Sequence, residues 1–86
     1  MVHELKTHPK YFSALLAGSK TFEVRKNDRD YKIGDELLLK EYDPDDDEIV
    51  PEPYTGRILH RRIDYILHGG QYGIEPGYCV MSISKI

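Results

Sequence analysis

A chain of 86 residues has room for one domain, and a 40% hydrophobic content with seven Tyr and two Phe can fill one core. Its apolar runs are too short for a membrane span, the N-terminal MVHELKTHPK lacks the apolar stretch of a secretory signal, and a lone Cys79 excludes an internal disulfide. The net charge of −3 is uneven, because six of the fifteen acids fall in residues 43–52, leaving twelve bases against nine acids elsewhere. These features predict a single domain over residues 1–86, cytoplasmic, with an acidic mobile loop at about 43–53 and a basic face able to meet nucleic acid.

Residues 2–6 (VHELK) read as a short strand in which His3 alternates with Leu5, predicting a hydrogen-bonded, half-core histidine. HPKYFSALLAGSK has helical period, with Phe12, Leu15 and Leu16 on one stripe. Thr7 or His8 suits the cap, Pro9 the first turn and Gly18 the left-handed stop. TFEVRK then alternates with period two, which predicts Phe22 and Val24 toward the core and Thr21, Glu23 and Arg25 outward. ELLLKEY (36–42) has three consecutive leucines, the mark of a strand buried on both faces. YTGRILHRRIDYIL (54–67) reads as a long strand. Ile63, Tyr65 and Leu67 share a parity that Ile58 breaks, so a bulge near His60–Arg61 is expected. HGGQYGIEPG reads as loop and YCVMSISKI as a closing strand. The order β-α-β-β-β-β predicts a small α+β sheet curled into a partial barrel.

Two segments carry groups suited to binding. In GSKTFEVR, Glu23 is flanked two residues away by Thr21 and Arg25, and Lys20 stands at the helix-to-strand junction. Lys6 ends the first strand beside the helix start, where an anion is favoured. The second segment combines Arg57, His60, Arg61 and Arg62 with Tyr54, Tyr65, Tyr72 and Tyr78. Cations beside flat rings are what single-stranded RNA requires. His3, His8, His60, His68 and Cys79 lack metal-ligand spacing, and no nucleotide-phosphate loop occurs, so neither metal nor cofactor is expected. Cys79, inside an apolar run, reads as a packing residue.

The spacing Gly18, Lys20, Glu23, Arg25 matches the G-x-K-x-x-E-x-R pattern, and the whole string from His3 to Ile83 resembles the ASCH domains of the PUA-like superfamily. Within that group it is similar to a small family of uncharacterised bacterial and phage proteins. The resemblance implies a PUA-like β-barrel of about five or six strands with one helix between the first two. It also implies a groove between helix and barrel that binds RNA, a nucleotide or a nucleoside. Lys20, Glu23 and Arg25 are the groove residues it implies, to which the chain's own pattern adds Lys6, Arg29 and Tyr78. Some ASCH relatives are amidohydrolases acting on an acylated cytidine, with a lysine, a threonine three residues later and a later glutamate. Here Lys20 matches, Glu23 occupies the threonine position, Thr21 adjoins Lys20, and the later acid would be Asp64 or Glu75. The expectation is thus a binding module, with a small amidohydrolase using Lys20 and Glu23 as the alternative. Oligomeric state is left open.

Overall fold

The computed structural model describes residues 1–44 and 53–86; residues 45–52, where most of the expected acidic loop falls, lie outside them. The element order is β1 (Val2–Thr7), α1 (Pro9–Ala17), β2 (Phe22–Lys26), β3 (Glu36–Tyr42), β4 (Tyr54–His68) and β5 (Tyr78–Lys85). Five strands form one curled sheet, a half-barrel, in the order β1-β3-β4-β5-β2. The predicted sequence of elements is therefore the observed one.

The helix starts and stops for the anticipated reasons. Pro9 occupies its first turn, and Gly18 ends it at φ 82°, a left-handed conformation that a side chain would strain. His8 stands at the cap position without a side-chain cap bond. Phe12 and Leu15 are buried, whereas Leu16, expected on the same stripe, is half exposed. The apolar stripe is narrower than its spacing indicates because the helix touches the sheet along one line.

Strand β3 lies between β1, which it meets in parallel, and β4, which it meets antiparallel. Its position inside the sheet explains its leucines: Leu37 and Leu39 are fully buried with Leu5, Leu15, Ile63, Met81 and Cys79. Parallel neighbours cannot be joined by a tight turn, and here α1 and β2 occupy the connection. His3 is buried and its Nε2 lies 2.8 Å from Asp35 Oδ2, just before β3, as the half-core reading anticipated. The backbone N–H of Asp43 donates to Pro53 O at 2.8 Å, closing the neck between β3 and β4.

Two readings of side-chain direction are corrected. In β2, Glu23 is the buried residue, while Phe22 and Val24 are 45% and 52% exposed. Alternation was present but the assignment of faces was inverted, because Glu23 finds two cationic partners inside the curl. In β4, the register shift falls between Ile63 and Tyr65 rather than at His60–Arg61. Arg61, Ile63 and Ile66 face inward, and Tyr65 faces out at 60% exposure. Asp64 is the extra residue, and its Oδ1 accepts from Ser84 Oγ at 3.1 Å.

Candidate nucleotide-binding groove

The two edge strands, β1 and β2, are not backbone-paired to each other. Alternate carbonyls of an edge strand point away from its one partner and need donors. Arg25 of β2 and Arg29 of the segment that follows it supply them. Arg25 Nη2 donates to Lys6 O at 3.0 Å, and Arg29 Nη1 donates to Glu4 O at 2.9 Å. The open side of the half-barrel is thus bridged by side chains where a full barrel would have a ladder.

Beside this seam lies a groove of about 390 Å³ between α1 and β2. Buried Glu23 is its organising group. Its Oε1 accepts from Lys20 Nζ at 2.6 Å and its Oε2 accepts from Arg25 Nε at 2.8 Å. Lys20 Nζ also donates to Phe22 O at 2.6 Å, which fixes the amine at the strand entrance. Arg25 Nη2 lies 3.4 Å from Thr7 Oγ1, so one guanidinium joins Glu23, Thr7 and the β1 backbone. A carboxylate shared by two cations leaves the cluster one positive charge in excess, reinforced by exposed Lys6 at the groove wall.

Aromatic rings complete the opposite wall. Tyr11 and Phe22 both line the groove and are 48% and 45% exposed. Lys20 Nζ stands 5.6 Å from the Tyr11 centroid and 4.9 Å from that of Phe22. The amine is therefore held among two ring faces and a carboxylate. Val24 and His8 fill the remaining lining. Among the described residues no group of acids, histidines and cysteine is arranged to hold a metal ion.

Lys6, Lys20, Glu23 and Arg25, singled out from sequence, line this one groove. Arg29 lines an adjacent one, and Tyr78, paired with Lys26 on the far side of β2, lines neither. Thr7, Tyr11 and Phe22 were missed as lining residues. Tyr11 had a usable signal, since it precedes buried Phe12 on the helix and must face elsewhere. The second sequence cluster does not assemble. Arg57 grips buried Glu41 through Nε and Nη2 at 3.0 and 2.9 Å, and its guanidinium carbon lies 4.9 Å from the Phe12 ring centroid. Arg61 is buried and donates to His60 O, whereas His60 faces Glu36 at 3.4 Å. Alternation along β4 sends these cations to different faces. Cys79 is fully buried in the core cluster, where burial raises its thiol pKa, and it stands opposite Arg25 in the β2–β5 ladder without lining the groove.

Among the described residues no helix is long and apolar enough to cross a membrane. A comparison with curated proteins finds 44% identity over 62 residues to a protein of Escherichia phage P2, described as an uncharacterised 12.9 kDa protein in the GpA 3′ region. The match covers 72% of this chain and 50% of the phage protein, so the chain spans about half the length of that relative. The family model for a domain of unknown function, DUF3850, matches residues 2–83, and the chain belongs to that family.

Proposed function

We propose that this chain is a single-stranded RNA- or nucleotide-binding module of the ASCH type within the PUA-like superfamily, acting in the cytoplasm. The observation that carries the reading is the convergence of Lys20, Arg25 and buried Glu23 beneath the exposed rings of Tyr11 and Phe22. A ring face accepts a base by stacking, and the two cations meet phosphate or a base edge. Glu23 orients both cations and keeps lone pairs for an exocyclic amino group.

The groove suits binding better than turnover. Lys20 Nζ donates to two acceptors at 2.6 Å, and it would act as a base only after giving up that proton. Thr21 is exposed with its carbonyl committed to Ile83 N–H, and neither Asp64 nor Glu75 lines the groove.

Calorimetric titration with nucleoside monophosphates and short single-stranded RNAs tests the proposal. The Tyr11 side chain is half exposed and its hydroxyl has no hydrogen-bond partner among the described residues, so Tyr11→Ala should fold normally. It should weaken binding by about 1–3 kcal/mol, the usual contribution of one stacked base. If no nucleotide or RNA binds the wild-type protein, or if Tyr11→Ala binds equally well, the groove is not a nucleotide site.

A further inference from the structure

A second groove, of about 490 Å³, opens on the other side of the seam and shares Lys6 and Arg25 with the first. Its walls add Arg29, Lys40 and Tyr54, with Glu4 as the one acid among the described lining residues. Arg29 is exposed and spends a single N–H on Glu4 O. Among the described residues neither Lys6 nor Arg29 is in an ion pair, and Lys40 meets Glu4 only at 4.0 Å. The cations are dressed with rings. Lys6 Nζ stands 4.8 Å from the Tyr42 centroid, and Lys40 Nζ stands 5.4 Å from that of Tyr54, which is 37% exposed. The rings of Tyr42 and Tyr54 meet edge to face at 5.2 Å.

Resting on the reading of the first groove, we propose that the second takes the sugar-phosphate backbone and a stacked base of the neighbouring nucleotides. The ligand is then a single-stranded oligonucleotide crossing the seam between β1 and β2, not a lone nucleotide. Lys6 and Arg29, in no ion pair among the described residues, and Lys40, which meets Glu4 only at 4.0 Å, supply the phosphate contacts, and exposed Tyr54 supplies a stacking face, the two components of a single-strand path. The track follows β1 from Glu4 to Thr7, about 10 Å at the usual strand rise. That is about three nucleotide steps at a stacked rise of 3.4 Å. Lys6 and Arg25, at the junction, serve both halves.

The test is titration of the wild type, Arg29→Gln and Lys40→Gln with a nucleoside monophosphate and with two- and four-nucleotide single-stranded RNAs and DNAs, at two salt concentrations. Thermal melts run alongside. Affinity should rise at least tenfold from one nucleotide to four. Each substitution should weaken the four-nucleotide ligand about five- to tenfold and flatten its log-salt slope by about 0.7, with monophosphate affinity unchanged. Preference for RNA over DNA would identify the natural strand, and equal binding would leave the path a general single-strand one; both outcomes support the proposal. Monophosphate binding with no gain in length, or with no effect of either folded variant on the tetranucleotide, overturns the second groove alone. Failure of every ligand to bind overturns both grooves together.

Discussion

Glu23 is the residue whose removal separates a surface row from a built site. Each carboxylate oxygen holds a different cation, Lys20 on one side and Arg25 on the other. An amide offers one acceptor only and turns its NH₂ toward the remaining donor. Glu23→Gln should therefore destabilise the fold by about 2–4 kcal/mol in urea denaturation, as expected when a buried carboxylate is removed from its cations. A solvated strand residue would cost under about 0.5 kcal/mol. The residue types and their spacing were legible in GSKTFEVR, but their direction was not. Period-two alternation gives two faces without saying which is inner, and apolar Phe22 and Val24 made the wrong one attractive. Only the two cations, one of them reaching back from the helix junction, make a buried carboxylate tolerable there.

At the scale of elements, the β3–β4 pair carries its own electrostatic clasp. The Arg57 guanidinium, bonded to Glu41, holds that carboxyl below its ordinary pKa, aided by the Thr55 hydroxyl at 2.6 Å and opposed by burial. The folded-state pKa lies below the unfolded one, so the clasp stabilises the protein above the ordinary Glu range. That contribution is lost as pH falls through the depressed folded value. Urea midpoints measured from pH 7 down to pH 3 should fall on acidification, and the fall should be shallower in Glu41→Gln. An equal slope in both proteins would place the acid sensitivity elsewhere. The leucine run of β3 announced an interior strand, and the helix boundaries followed from Pro9 and Gly18. The parity conflict between Ile58 and Ile63 did not mark the bulge: pairing with β3 is unbroken from Ile58 to Arg62, Ile58 faces out, and the register shift lies beyond Ile63. Grouping Tyr65 with Ile63 hid the true position, since Tyr65 faces out and Ile66 takes the next inward place.

For the whole molecule, the sheet order escapes sequence reading because its decisive pairings are remote. Strand β2 has its one backbone partner in β5, with Phe22 opposite Ser82 and Lys26 opposite Tyr78. Nothing local to GSKTFEVR specifies a partner more than fifty residues later. A chain ended after Gly77 should consequently lose both cooperative unfolding and the proposed nucleotide binding, although every lining residue of the first groove is retained. Retention of a sharp melting transition in that truncation would show that β2 docks without β5.

The pairing of β2 with the last strand also orders events in time. Contacts between β3 and β4, and between β4 and β5, join neighbours in sequence and should form before the β2–β5 ladder, which closes a much longer loop. Lys20, Glu23 and Arg25 are synthesised well before Tyr78–Ser82, the stretch of β5 that β2 pairs with. A nascent chain should thus carry Lys20, Glu23 and Arg25 before the strand that seats β2 has been made, and the groove should be the last part of the domain to take shape.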